Sequence, residues 1–301
     1  MHPAFTISQK VVAVSAERPV RAMRLRVADK VPPHDHEFCE ICLVVSGQGT
    51  HLDASGRTPM HRGDVFITLP GEVHAISPVQ GLCVWNIYYL AEWFMGDLQA
   101  LRAEPRVLAT FFSHHLFGPQ YRNRCSHLRL TARGSRQVQG ELLEISRETS
   151  RPESSALLLR GCFEKILHHL AAAVSADAVA DAAVTREEVW LVLRRIDELL
   201  TAGHAFDPAV VSRGAHVGTD RLSRLFKQAT GLTPFAYFQR RRLQLARRRL
   251  LNPDQSAAMI ALSLGFADAS HFGRDFRRQY GVTPRQFRLQ FSGRNARPGA
   301  P

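Results

Sequence analysis

Leu222–Pro234 reads LSRLFKQATGLTP, and fifty positions later Phe272–Pro284 reads FGRDFRRQYGVTP. Set in register, Leu222 meets Phe272, Arg224 meets Arg274, Phe226 meets Phe276, Gly231 meets Gly281, Thr233 meets Thr283 and Pro234 meets Pro284. One structural unit is used twice. In the first copy Leu222, Leu225 and Phe226 fall at i, i+3 and i+4 and form an apolar helical face, while Ser223, Arg224 and Lys227 point away from it. Gly231 suits a left-handed C-terminal cap, and Thr233 followed by Pro234 suits the N-cap and first position of a next helix. A shorter helical stretch precedes each copy, Asp207–His216 and then Ser256–Leu264, the second running into Gly265-Phe266. Helix, glycine-containing turn and basic helix in this order make a helix-turn-helix, whose second helix enters the major groove of DNA.

Over Trp190–Phe291 the chain resembles the DNA-binding region of the AraC/XylS family of bacterial transcription regulators. The resemblance rests on Ile260-Ala261, Leu264-Gly265-Phe266-Ala267-Asp268, Ser270, Phe272, Arg274, Phe276-Arg277, Gly281 and Thr283-Pro284. Two such units in one order, with matching turn residues, are far more specific than a single one. The first copy departs from the family pattern at Ser212, Gly214 and Gly218. A glycine inside a helix costs about 1 kcal/mol relative to alanine, so a softer first support helix is expected. The resemblance implies an all-α double helix-turn-helix domain that reads bases through Asp220, Ser223 and Arg224, and through Ala269, Ser270, Gly273 and Arg274 in the second helix. Arg224 suits bidentate pairing with guanine, worth ~1–3 kcal/mol of discrimination. Ala269 and Gly273 offer almost nothing to hydrogen-bond, so the second helix is expected to dock by backbone contact and shape. Arg274 has a rival role as a local bond that holds the turn.

Between the copies Pro234–Leu251 reads as one helix, PFAYFQRRRLQLARRRLL. At 1.5 Å per residue its length is roughly 27 Å, enough to hold two recognition helices about one DNA turn apart. Arg221, Lys227, Arg240, Arg241, Arg277 and Arg278 are the expected phosphate contacts, with only a minority of the spacer's arginines needed for that work.

Charge supports this division of labour. The 301 residues carry a net +12, and from Arg186 onward there are 20 Lys+Arg against 9 Asp+Glu, whereas residues 1–185 are nearly balanced at 19 against 18. The excess lies where phosphates would be met. With 45% hydrophobic residues, no apolar run of membrane-spanning length and no signal-like N-terminus, a cytoplasmic protein is expected. Cysteines 39, 42, 83, 125 and 162 are odd in number and fit reduced thiols. Cys39 and Cys42 form CxxC within a strand pattern, where i and i+3 face opposite sides.

From Ala22 to His74 short apolar runs (MRLRV, FCEICLVV, GTHLD, DVFITL) alternate with turn residues, the spacing of an antiparallel β-sandwich or barrel. His34, His36 and Glu40 share parity, and a second run, from Gly63 through Pro70-Gly71-Glu72-Val73, leads to His74. These runs resemble the paired motifs of the cupin barrel, with Leu69 and Pro78 departing from the second motif. The resemblance implies that His34, His36, Glu40 and His74 line the interior, either as ligands of a divalent metal such as Fe, Mn, Ni or Zn or as pocket lining without one. In Leu82–Tyr89 alternation sends Trp85, Ile87 and Tyr89 one way and Val84, Asn86 and Tyr88 the other. Trp85 and Tyr89 complete the expected effector pocket, Trp85 with a competing claim as core. The whole pattern looks most like the sugar-responsive, rhamnose-type members of the family.

Glu92–Leu116 reads as an apolar helical stretch and Leu128–Leu130 as one more strand. Gly140–Glu148 and Ser155–Val174 read as amphipathic helices with Leu142, Leu143, Ile145, Leu158, Leu159, Phe163, Ile166, Leu167 and Leu170 on their buried sides. The expected architecture is thus α+β: a cupin-like β-barrel (1–130), helices for dimer contact (131–174), a linker (175–185), a double helix-turn-helix domain (186–291) and a disordered tail (292–301). The resemblance implies a homodimeric transcription regulator, expected to be an activator, that binds double-stranded DNA and a small-molecule effector, recruits RNA polymerase, is not an enzyme and needs no obligatory cofactor. A cupin-type metalloenzyme with an accessory DNA-binding domain is the alternative.

Overall fold

The computed structural model describes residues 2–15, 18–94, 103–117, 125–174, 187–250, 252 and 254–291; the expected linker (175–185) and tail (292–301) lie outside them. The strands are β1 (Phe5–Ile7), β2 (Val20–Arg26), β3 (Val31–His36), β4 (Cys39–Asp53), β5 (Gly56–Met60), β6 (Asp64–Thr68), β7 (His74–Tyr89) and β8 (His127–Arg129). The helices are α1 (Ala91–Phe94), α2 (Pro105–Val107, continued by a π-helical turn at Leu108–Phe112), α3 (Ser113–Phe117), α4 (Ala132–Glu148), α5 (Ala156–Ala172), α6 (Glu187–Thr201), α7 (Pro208–Ser212), α8 (Thr219–Thr230), α9 (Pro234–Leu250), α10 (Ala257–Ser263), α11 (Ala269–Tyr280) and α12 (Pro284–Phe291). One unit holds the strands with α4 and α5; a second holds α6 to α12 together with α3. No helix among the described residues is long and apolar enough to cross a membrane.

The β unit is built on its two longest strands. β4 and β7 run antiparallel from Cys39 opposite Tyr89 to Leu52 opposite Ala75, and register shifts between Val44 and His51 bend the pair. On one side of the bend β6 joins β4 and β2 joins β7; on the other β5 joins β4 and β3 joins β7. Two half-sheets therefore share one bent pair, and their inner faces converge. β1 adds in parallel to β3, and β8 adds to β6. The expected barrel needs correction, because among the described strands the hydrogen-bonded path ends at β1 and β8, with β2 and β5 as further edges, so the sheet does not close.

Glycine makes the bend possible. Gly47 has φ +80°, and a Cβ there would stand 2.2 Å from the Gly81 carbonyl oxygen and 2.3 Å from its carbon, backbone atoms that cannot step aside. The buried Asp64 carboxylate fastens β6 to β8. It accepts from Arg129 Nε (2.7 Å) and Nη2 (3.0 Å) and from the His61 backbone N–H (2.7 Å), and lies 3.1 Å from His127 Nε2.

Helices α4 and α5 are capped by Thr131 and Ser155, and the Glu148 carboxylate accepts from the Ser155 backbone N–H at 2.6 Å, which closes their connection. Their inner sides bury Leu142, Ile145, Leu159, Phe163, Ile166, Leu167 and Leu170, with the Phe163 ring tilted against Tyr89 on the outer face of β7, centroids 4.8 Å apart. Leu143 and Leu158, expected on those buried sides, are instead 42% and 37% exposed, and Leu157 is 83% exposed.

In the helical unit α9 serves two cores. Tyr237 and Phe238 pack toward α6 and α8, with Tyr237 5.8 Å from Phe226, while Leu243, Ala246 and Leu250 join Ile260, Phe266, Phe272, Phe276 and Phe287. Gly231 and Gly281 close α8 and α11 in the left-handed conformation, φ 74° and 75°. The first support helix, expected to reach His216, stops at Ser212: Arg213 is extended, Gly214 has φ +82° and His216 φ +53°. Gly214 therefore sits in the turn and brings no helical penalty.

Replacing Gly47 by Ala adds left-handed strain to overpacking and should cost about 3 kcal/mol, read as a lower urea midpoint of the β unit. Gly140→Ala, whose Cβ meets open space on the exposed side of α4, should instead stabilise by roughly 0.5–1 kcal/mol. Equal midpoints for the two variants would contradict the bend's dependence on Gly47.

Candidate nucleic-acid interface and effector pocket

The two recognition helices turn matched faces to solvent. On α8 Asp220, Arg221, Arg224 and Lys227 are exposed and Ser223 is half-buried, while Leu222 and Phe226 are buried beneath. On α11 Ala269, Ser270, Arg274, Arg277 and Arg278 are exposed and Gly273 is half-buried, over buried Phe272 and Phe276. A Cβ built on Gly273 meets nothing within 4 Å, so this part of α11 offers backbone to an approaching partner. Asp268 caps α11, accepting from His271 N–H at 2.7 Å, and that bond, then the Ser270 backbone N–H and then the nearby Arg274 charge, hold its carboxyl below the usual range. Gly218 leaves the start of α8 without a side-chain cap. Arg278 is paired with Asp275 at 3.0 Å yet remains outside, 80% exposed.

Within the β unit a polar belt lies between two apolar clusters, one with Val12, Val14, Phe38 and Tyr88, the other with Cys42, Val44, Phe66, Ile76 and Val84. The belt holds His36, Glu40, His51, Thr68, His74 and Asn86. His36 Nδ1 is bonded to the Phe38 carbonyl at 2.6 Å and His34 Nδ1 to the Pro32 carbonyl at 2.9 Å. Asn86 Nδ2 donates to Glu40 Oε1 and to the Tyr88 hydroxyl, each at 3.2 Å. His74 Nδ1 is 3.2 Å from His51 Nε2 and 3.4 Å from Thr68 Oγ1. His36 Nε2, His74 Nε2 and Asn86 Oδ1 are buried without a hydrogen-bond partner. Burial pushes the Glu40 carboxyl up to about 8 and the His36 and His51 imidazoles down to about 4, and it holds His74 well below its ordinary value. The belt is neutral and rich in acceptors, and so complements hydroxyl donors or a cation.

Of the expected metal quartet the structure brings together three: donor atoms of His36, Glu40 and His74 lie within 4.8 Å of one another. His34 stands beside them, its ring 4.3 Å from that of His74 and stacked on Phe5 at 5.4 Å. Two buried, bare imidazole nitrogens beside a carboxylate are a donor set that fits a divalent transition metal. Trp85 and Tyr89, expected in the pocket, lie on the opposite face of β7. They pair in register with Leu43 and Cys39, whereas Asn86 and Tyr88 pair with Cys42 and Glu40. His51, Thr68 and Asn86, with the Tyr88 hydroxyl that Asn86 reaches, are the residues here that sequence reasoning missed.

Residues 24–184 match the family described as AraC-like ligand binding domain, and residues 211–290 match a helix-turn-helix domain family. The chain belongs to the AraC family. It is 28% identical over 294 residues to the HTH-type transcriptional activator RhaS of Pectobacterium atrosepticum, covering 95% of each chain. It is 25% identical over 296 residues to the activator RhaR of Yersinia pestis, covering 97% of this chain and 96% of that one.

In this AraC-family protein the arginines of α9 are mostly fasteners. Arg241, expected at a phosphate, is 3% exposed and donates to Asp197 at 3.2 Å and to Gln244 at 3.3 Å. Arg240, also expected at a phosphate, is half-buried and donates to the carbonyls of His114 and His115, each at 3.3 Å. Arg242 lies 3.7 Å above the Phe266 ring, bonds Gln239 and donates to the Gly265 carbonyl at 3.2 Å; Arg249 reaches Ser263 Oγ at 2.6 Å. Arg248 faces solvent. Burial decides the matter for Arg241, since a guanidinium held by a carboxylate inside the domain is not available to DNA.

Arg241 is buried but the side chain of its partner Asp197 is 32% exposed and keeps water when left alone, so losing the charged hydrogen bond typically costs about 1–3 kcal/mol. Arg241→Ala should lower the unfolding free energy of the helical unit by an amount of that order, with the salt dependence of non-specific DNA binding unchanged; a reduced salt slope at unchanged stability would restore the phosphate role. Glu40 sets a pH dependence. Its folded value near 8 lies above the ordinary 4.5, so its contribution to stability is whole at low pH and is lost as pH rises through about 8. Chelator-treated protein should therefore lose stability between pH 6.5 and 8, and Glu40→Gln should flatten that slope in thermal melts. His36 and His51 act oppositely, since stability present above 6.5 is lost as pH falls through about 4.

Proposed function

We propose that this AraC-family protein is a cytoplasmic, one-component transcription activator controlled by a small molecule. The belt of His36, Glu40, His74, Asn86 and Tyr88, with His34 at its margin, receives the effector. A hydroxyl-rich sugar or related metabolite suits it, since hydroxyls donate to a carboxyl oxygen, an amide oxygen and a bare imidazole nitrogen alike. Should a divalent metal be bound, His36, Glu40 and His74 would hold it, and it would supply Lewis-acid attraction for vicinal effector oxygens. Two copies associate through α4 and α5, where Leu143, Leu157 and Leu158 remain exposed. On the promoter α8 and α11 enter successive major-groove segments, and the complex recruits RNA polymerase. The effector acts through unequal affinity for two arrangements of the dimer.

The observation that carries this reading is the pair of basic, solvent-facing helices on one internally braced spacer. Arg224, Asp220 and Ser223 supply base discrimination on α8, while α11 relies on backbone approach at Gly273 and on Arg274, Arg277 and Arg278. Arg224→Ala should weaken binding to a selected operator by ~5–150-fold, the equivalent of ~1–3 kcal/mol, with little change on scrambled DNA. Lys227→Ala should weaken both alike and lower the salt slope by about 1. Mobility-shift titrations at two salt concentrations separate these outcomes, and an Arg224→Ala protein with unaltered sequence preference would remove the assigned role.

A further inference from the structure

His51 lies outside the motif that the sequence assigns to the pocket, yet it decides what that pocket can bind. His36 shows the required arrangement. Its Nδ1 is 2.6 Å from the Phe38 carbonyl, and a carbonyl only accepts, so Nδ1 carries the proton and the buried Nε2 keeps a bare lone pair. His74 reaches the same state only if its own Nδ1 is protonated, and that atom is flanked by His51 Nε2 at 3.2 Å and Thr68 Oγ1 at 3.4 Å. The threonine hydroxyl can donate or accept, so the imidazole is the deciding neighbour.

The second nitrogen of His51 fixes the answer. His51 Nδ1 faces Asp53 Oδ2 at 3.8 Å, and Asp53 is itself held at the β4–β5 turn, where Oδ1 accepts from the Ser55 backbone N–H at 2.7 Å and from its hydroxyl at 2.5 Å. A carboxylate facing Nδ1 favours the proton on that nitrogen and leaves Nε2 as acceptor. Stacking on Phe66, with ring centroids 4.5 Å apart, holds the imidazole plane. The donors then run from His74 to His51 and on toward Asp53, all pointing out of the pocket. The bare nitrogens of His36 and His74 are left with the Glu40 carboxylate, all within 4.8 Å.

We propose that His51, backed by Asp53, is a positioning residue that locks His74 as the Nδ1-protonated tautomer and so completes a His36–Glu40–His74 site for one divalent transition metal. The proposal rests on the belt being the ligand site of this regulator. Two imidazoles and one carboxylate leave coordination positions open for effector oxygens, so metal occupancy would set the effector response. Partners that orient a ligating imidazole typically contribute 10–100-fold in metal affinity.

The test uses the full chain, stripped with chelator and titrated with Co²⁺ alone, followed by its visible absorption and by calorimetry. Wild type should bind one Co²⁺ per chain, and His74→Ala should lose the visible bands. His51→Ala should keep the stoichiometry with 10–100-fold weaker binding. His51→Gln, whose amide oxygen can accept from His74 Nδ1–H, should recover most of that loss. Nitrogen-15 shifts of the metal-free wild type read the tautomer without mutagenesis, and His74 protonated on Nδ1 is expected. His74 protonated on Nε2, or wild-type affinity in His51→Ala while His74→Ala fails, overturns the role of His51 and leaves the site standing. Wild type that takes up no Co²⁺ overturns the metal site, and the effector reading then stands or falls on thermal-shift titration with neutral sugars.

Discussion

The guanidinium of Arg242, seated on the Phe266 ring and bonded to the Gly265 carbonyl, ties the spacer helix to the turn that aims α11. Its neighbour Arg241 turns the other way and reaches Asp197 on α6, against which α8 packs. Two recognition helices are useful as a pair only if their separation does not drift, because DNA presents its grooves at a fixed repeat. Cations turned inward therefore serve DNA binding indirectly: they hold α8 and α11 to one frame and leave the outward charges of those helices to meet the duplex. Gly265 adds to this constraint, since a Cβ there would press to 2.9 Å from the Gly203 carbonyl oxygen, where the two halves of the helical unit meet.

The β unit poses a different problem, since it keeps polar groups buried and leaves some of them without a partner. Carbonyls take up one nitrogen of His34 and of His36, and Asn86 serves Glu40 and Tyr88 together, yet two imidazole nitrogens and an amide oxygen stay unsatisfied. Burying such groups without partners is costly, which is reasonable where a ligand later supplies the missing bonds. Apolar clusters on either side keep the belt dry and so make each of those bonds stronger. On the proposed reading, the AraC-type domain prepares its effector surface at the expense of its own stability.

What was legible in the sequence was what short-range geometry controls. The repeat, its glycine caps and the starts of the support helices at Asp207 and Ser256 depend on neighbours within a turn or two, and they stand where the pattern places them. Long-range register was not legible. Alternation alone splits Leu82–Tyr89 into two faces, but which face looks inward follows from the pairing of Glu40 with Tyr88 across β4 and β7. The destination of Arg240 and Arg241 is likewise tertiary, since a basic run on a helix reads the same whether it meets phosphate, a carbonyl or Asp197. His51 escaped notice because its role comes from His74, 23 residues away. Gly214 shows the converse error, a glycine expected inside a helix that instead ends one.

On the proposed reading, one chain lays two rigidly coupled helices into successive major-groove segments. Guanine-N7 methylation protection on a selected operator, with the full-length protein, measures this most directly. Two protected major-groove patches on one face of the duplex, centred about 10 base pairs apart for each protein chain bound, are the predicted result. A single patch per chain, or protection spread evenly along the DNA, would contradict the account.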